Sequence, residues 1–141
     1  MALEIIQARF TDPGFARCLE IRLAVFVGEQ NVLEAEERDE YDETARHFLA
    51  LVDGAPAGTA RLLEKPEAAK ITRVAVLRQY RGQGVGEALM RHIEAHHPAR
   101  SFMLDAQVQA QAFYTRLGYA AQGDIFMEAG MAHVHMRKEI K

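Results

Sequence analysis

The sequence predicts a single α/β domain built on a mixed sheet flanked by helices. Three observations carry that expectation. A chain of 141 residues suits one hydrophobic core. A strand–helix–strand run from Lys70 to Ala106 favours parallel neighbours. Hairpin signals around Asp53-Gly54 and Ala129-Gly130 favour antiparallel ones.

Leu3–Phe10 reads as an opening strand. In Thr11-Asp12-Pro13, Asp12 is placed to cap free N–H groups and Pro13 fits a first helical position. Phe15, Leu19, Arg22, Leu23 and Phe26 then recur at helical spacing, predicting a helix to about Val27. The acidic, aperiodic Leu33–Glu43 reads as a solvated loop or a short helical turn. His47–Val52 and Ala57–Leu63 form a hairpin across Asp53-Gly54, and β-branched Lys70–Leu77 is the strongest strand. After Arg78–Gln83 a helix carries Val85, Leu89 and Ile93 on one stripe to about His96, before Pro98. Ser101–Ala106 is a strand, and Val108–Leu117 a helix stopped by Gly118. Strands near Gly123–Glu128 and Met131–Lys138 close the chain.

Composition narrows the function. Hydrophobic residues make up 49% and charged residues 26%, the balance of an ordinary globule. Seventeen Lys and Arg against 20 Asp and Glu give a net charge of −3, without the basic surplus of a nucleic-acid binder. The lone Cys18 forms no internal disulfide and reads as a buried, inert thiol. The residues carry no signal-like h-region and no membrane-length apolar run, so the expected address is the cytoplasm. His133 with His135, and His92 with His96, have spacings that can bind metal, but no carboxylate or cysteine set completes a site; no metal is expected.

The informative segment is Val74-Ala75-Val76-Leu77-Arg78-Gln79-Tyr80-Arg81-Gly82-Gln83-Gly84-Val85-Gly86, a strand leading through glycines into a helix. Glycine admits close backbone approach, and a helix start presents unpaired N–H groups carrying partial positive charge. That combination suits a phosphate or pyrophosphate, with Arg78 and Arg81 adding full charge. A Walker A ending is absent, and a dinucleotide fingerprint fails because the third glycine would fall on Glu87.

Arg81-Gly82-Gln83-Gly84-Val85-Gly86 resembles the R/Q-x-x-G-x-G/A signature of the GNAT acyltransferase superfamily. Val74-Ala75-Val76 is similar to its pantetheine-pairing strand. Leu104-Asp105-Ala106-Gln107 and Ala112–Tyr119 are similar to the family's next strand and its helix ending in Gly-aromatic. Val25–Asn31, His47, Ala106-Gln107 and Gly130–His133 resemble the bacterial ElaA-like branch, so the likeness covers almost the whole chain.

The resemblance implies one acyl-CoA-binding N-acetyltransferase domain over residues 1–141, with a GNAT-like, mostly antiparallel mixed sheet and acetyl-CoA as co-substrate. It implies direct attack by an amine, small-molecule or peptide, on the thioester in a ternary complex. The expected CoA-binding residues are Val74, Ala75, Val76, Arg81, Gly82, Gln83, Gly84, Val85, Gly86, Phe113 and Tyr114. The Val76 N–H is the expected oxyanion donor, and Tyr114 matches the family's general acid. Many relatives carry a glutamate on the strand before the glycine turn, whereas Lys70–Leu77 has no carboxylate. The general base is therefore sought among Glu29, His133 and Glu128. That departure also leaves open a non-catalytic acetyl-CoA-binding regulatory module, and a phosphate-ligand protein unrelated to CoA is a third reading. No nucleic-acid or membrane partner is expected, and a homodimer stays open.

Overall fold

The computed structural model describes residues 1–140. Its strands are Leu3–Ala8 (β1), Arg46–Val52 (β2), Ala55–Glu64 (β3), Ala69–Val76 (β4), Ser101–Gln107 (β5), Ala120–Glu128 (β6) and Met131–Glu139 (β7). Its α-helices are Pro13–Arg22 (α1), Glu34–Glu37 (α2), Val85–His96 (α3) and Gln111–Arg116 (α4). The strands form one seven-stranded sheet in the order β1-β2-β3-β4-β5-β7-β6, with only the β4–β5 pair parallel. This is the mixed, mostly antiparallel sheet that the sequence predicts. Both hairpin turns have positive φ at both central residues, 50° and 84° at Asp53-Gly54 and 51° and 76° at Ala129-Gly130, matching the twist of the strands they join.

Two cores lie on opposite faces of the sheet. Val85, Leu89, Met90 and Ile93 of α3 pack on Phe48, Ala50, Leu62, Ile71 and Phe102. Cys18, Ile21 and Val25 pack on Leu49 and Ala75. Being covered on both faces, β2 is apolar at nearly every position from Phe48 to Val52. A side chain at Gly58 would meet Val85 Cγ1 at 3.0 Å and the Ala75 carbonyl oxygen at 3.1 Å, so its absence lets α3 lie close to the sheet. Cys18 is fully buried, and burial pushes its thiol up.

Local structure departs from the sequence reading in four places. The Asp12 carboxylate does not cap α1; it reaches backward and accepts the Arg9 N–H at 2.8 Å. The first helix does not end near Val27 but changes at Leu23 into a π-helical turn running to Glu29. The fourth helix is shorter than expected, with Val108–Ala110 forming a 3₁₀ turn ahead of it. The acidic segment does form short helical turns, Glu34–Glu37 and a 3₁₀ turn at Glu40–Glu43, and is mostly exposed, but its Glu37 and Asp42 are buried. Arg22, only 1% exposed, pairs with Glu37 at 2.6 Å and Asp42 at 2.8 Å. Arg61 pairs with Asp42 at 2.9 Å and Asp39 at 2.6 Å, and Arg73 with Glu37 at 3.1 Å and Asp39 at 3.3 Å. These interlocked pairs offset the cost of burying four charges, Arg22, Arg61, Glu37 and Asp42, with the half-buried Arg73 and Asp39 at their edge.

Arg73 sits at a β-bulge. Thr59 pairs with Ala75 and Arg61 with Thr72, so Ala60 faces two residues of β4, and Arg73 takes φ 53°. The extra residue inverts the alternation along the strand. Ala69 and Ile71 face the α3 core before the bulge, while Val74 and Val76 face it afterwards. On the other edge, β4 and β5 pair only at Ala69–Phe102 and Lys70–Met103, and then part.

Asp42→Asn removes the carboxylate shared by two buried arginines. We expect a loss of about 3–5 kcal/mol in urea unfolding at pH 7. Burial pushes the Asp42 carboxyl up, but hydrogen bonds and charge from Arg22 and Arg61 outweigh it and hold it below the usual aspartate value. A folded-state value below the unfolded one gives stability that is complete above about pH 4 and is lost as pH falls through the folded value. Acid should therefore destabilise the parent more steeply than Asp42→Asn; equal slopes would contradict this account.

Candidate active site

The parting of β4 from β5 exposes backbone. The Leu77 N–H donates to the Ala57 carbonyl at 2.8 Å, which makes that couple a hydrogen-bonded pair of the β3–β4 ladder. By antiparallel alternation, Val76 opposite Gly58 is a non-bonded pair, so its N–H points away from β3 into the space β5 has left. Its carbonyl, on the same edge, accepts from Arg81 Nε at 2.9 Å.

Beyond β4, a 3₁₀ turn at Arg78–Tyr80 leads to Gly82 and Gly84, at φ 78° and 84°. Gly84 is the N-cap of α3 and offers no capping side chain. The first amide here with a protein acceptor is that of Ala88, bonded to the Gly84 carbonyl at 3.0 Å. Among the described residues, the N–H groups from Gly82 to Glu87 have no protein partner. Gly82 and Gly84 also have open space where a Cβ would stand, whereas one at Gly86 would come within 3.2 Å of Phe113. The result is an anion cradle at a helix start.

A cavity of about 600 Å³ opens on this cradle, lined by Tyr80, Gly82, Gly84, Gly86 and Phe113. Arg91 and Arg116 also line it, two cations with no sequence pattern to announce them. Gln83 is not in this lining, and its amide donates to the Gln79 carbonyl at 3.2 Å. A larger cavity of about 780 Å³ fills the cleft between β4 and β5, under Val25, Phe26 and Gln30 of the first helical segment. Val74, Ala75, Val76, Arg81, Ala110 and Tyr114 line both cavities, so the two meet along the free edge of β4.

Tyr114 stands at that junction, 8% exposed, its ring edge-on to Phe113 with centroids 4.9 Å apart. Burial pushes its phenol well above the usual tyrosine value, so it stays protonated and able to donate at neutral pH. Burial alone causes the shift; among the described residues no hydrogen bond from a protein group contributes.

His133 and Glu128 line the larger cavity. His133 Nδ1 donates to the Met131 carbonyl at 2.8 Å, which leaves Nε2 as the acceptor nitrogen of the neutral ring. Nε2 lies 3.9 Å from the Glu128 carboxylate, and Phe126 stacks on the ring at 5.8 Å. Glu29 is elsewhere and engaged: Arg81 donates to both its oxygens, at 2.9 and 2.8 Å, and Arg78 lies 3.6 Å away. The Arg81 hydrogen bonds hold its carboxyl below the usual glutamate range, which weakens it as a proton acceptor in this arrangement. His47, a residue of the ElaA-like pattern, is fully buried against Phe15 at 4.6 Å and lines neither cavity.

Two polar links across the cleft escape sequence reasoning. At its base Lys70 pairs with Asp105 at 3.1 Å, and Asp105 also accepts from His135 Nδ1 at 2.8 Å. At its mouth the Gln30 and Gln107 amides bond reciprocally, at 3.3 and 2.9 Å, although 77 residues separate them. Their presence in two segments of the ElaA-like pattern was the only hint.

Comparison with known proteins agrees with this geometry. Residues 9–140 match the family described as Acetyltransferase (GNAT) domain. Escherichia coli ElaA is 30% identical, with a TM-score of 0.85 over 98% of this chain and 100% of that one. An acyl-CoA N-acyltransferase from Pseudomonas aeruginosa is 28% identical, with a TM-score of 0.83 over 97% and 99% of the two chains. By sequence, the uncharacterized N-acetyltransferase YjcF of Bacillus subtilis is 37% identical over 123 residues, 84% of this chain and 88% of that one.

The cradle predicts that inorganic pyrophosphate raises the thermal midpoint by mass action. Gly84→Glu sets a carboxylate in the cradle and should abolish the shift; an undiminished shift would place any anion site elsewhere.

Proposed function

The chain belongs to the GNAT acetyltransferase family, and we propose that it moves an acetyl group from acetyl-CoA to an amine acceptor by direct attack in a ternary complex. The observation that carries this reading is the meeting of two cavities along the free edge of β4, beside Tyr114. One cavity has the chemistry of a diphosphate site and the other is open to an acceptor, so a donor lying along β4 presents its thioester where they join.

Each step falls to a residue of this chain. The amides from Gly82 to Gly86, with the partial charge of the α3 start and the Arg81 guanidinium, hold the diphosphate. The adjoining edge of Val74, Ala75 and Val76 aligns the pantetheine arm, and Phe113 walls the channel. The Val76 N–H polarises the thioester carbonyl and takes up the charge that builds on its oxygen. His133 Nε2 accepts the proton of the attacking ammonium, with Glu128 beside it to steady the imidazolium. As the tetrahedral intermediate collapses and its C–S bond breaks, Tyr114 donates its proton to the departing sulfur and is reprotonated by the proton the new amide nitrogen gives up. His133 serves better than Glu29 as base because it lines the larger cavity with an accepting nitrogen, whereas Glu29 lines neither cavity. The acceptor, a small molecule or a peptide amine, enters through the larger cavity.

A regulatory module that binds acetyl-CoA without transfer is the second reading, favoured by the lack of a carboxylate on β4. Mixing acetyl-CoA with an amine panel and following free thiol separates the two, because only a transferase releases it in an acceptor-dependent way. For the transferase, Tyr114→Phe keeps the packing and removes the proton. It should lower kcat about 100-fold while leaving the Kd for CoA unchanged. Undiminished turnover from pH 6 to 9 would remove Tyr114 from the acid role.

A further inference from the structure

Glu29 and Gln30 are consecutive residues, yet they grip opposite lips of the cleft. Glu29 holds Arg81 of the glycine loop through two hydrogen bonds, and Gln30 holds Gln107 at the end of β5. Both residues close the π-helical turn, whose wider winding ends with the Gln30 N–H bonded back to the Val25 carbonyl at 3.1 Å. The same turn supplies Val25 and Phe26 to the wall of the acceptor cavity.

Arg81 therefore spends its guanidinium fork on a protein carboxylate at the rim of the anion cradle. Its Nε is committed to the Val76 carbonyl and both Nη groups to Glu29. Arg78, at 80% side-chain exposure, leans toward the same carboxylate. A diphosphate settling on the amides of Gly82 to Gly86 brings at least two negative charges beside Glu29. Like charges sharing one arginine repel, and the phosphate offers Arg81 the same bidentate match as a carboxylate.

We propose that Glu29 is an internal counter-anion of the donor site: it holds Arg81 until a CoA diphosphate displaces it, and its release loosens the π turn that walls the acceptor cavity. Donor binding is then coupled to access for the acceptor. The idea rests on the acetyl-CoA reading above. Glu29 acts through Arg81 and touches no reacting atom, so it is a positioning residue.

The sign of a binding change tests it. Calorimetric titration with CoA should show Glu29→Gln binding roughly tenfold tighter than the parent at low salt, because a competing charge is gone. The gap should narrow as salt rises. Glu29→Ala should shift in the same direction. Amide hydrogen exchange across Leu23–Glu29 should speed up when CoA is added to the parent and stay constant in Glu29→Gln. Equal or weaker CoA binding by Glu29→Gln would make Glu29 a mere brace for Arg81 and overturn the proposal, with the transferase reading intact. Slower exchange in the parent on adding CoA would likewise overturn it. A parent that does not bind CoA at all would remove both readings together.

Discussion

Inside a sheet, each strand normally spends its backbone hydrogen bonds on two neighbours. Here β4 loses one of them after Lys70, where β5 turns away, and every functional feature depends on that loss. An unpaired strand edge in an interior is costly unless something else satisfies it. In this protein the free edge of β4 is followed, after the 3₁₀ turn at Arg78–Tyr80, by a glycine loop whose own amides are also free. The two make two sets of free donors along one channel, parted by the bonded Leu77, Tyr80 and Arg81 amides, ending at the start of α3 and walled by Tyr114 and Phe113. A long, jointed ligand with an anionic end and polar groups along its arm has the chemistry to fill that channel.

Keeping the strands apart requires forces on both sides. The bulge at Arg73 turns β4, and the half-buried pairs of Arg73 with Glu37 and Asp39 anchor the bulge to the acidic segment. Lys70 and Asp105 fix the point where the strands divide, while the Gln30–Gln107 amides tie the end of β5 to the close of the π turn. The charge cluster thus does more than tie a loop down. It sets the frame on which the cleft is cut.

The fold was largely legible because local signals and packing agree. Asp53-Gly54 marked its turn, Val85, Leu89 and Ile93 marked the buried stripe of α3, and the glycines marked a place where backbone faces a cavity. What sequence reading lost were features whose partners lie far away along the chain. Glu37 and Asp42 sit in a stretch that looks solvated, and only Arg22, Arg61 and Arg73 brought alongside make burial tolerable. The bulge was hidden because Lys70–Leu77 is apolar at most positions, so an inverted alternation leaves no trace. Around the site, one contiguous pattern each pointed to the cradle glycines and Tyr114, all of which line the cavity at the start of α3. The standing of Glu29 was not, since its carboxylate is set by an arginine 52 residues away.

The central claim is that two sets of backbone amides, on the edge of β4 and at the start of α3, receive the donor. Amide-resolved NMR during a titration with CoA tests it most directly. The account predicts the largest shifts, moving together with one affinity, at Val74, Val76, Gly82, Gly84, Val85 and Gly86. Shifts clustered elsewhere on the molecule, with those six amides unmoved at saturation, would contradict it.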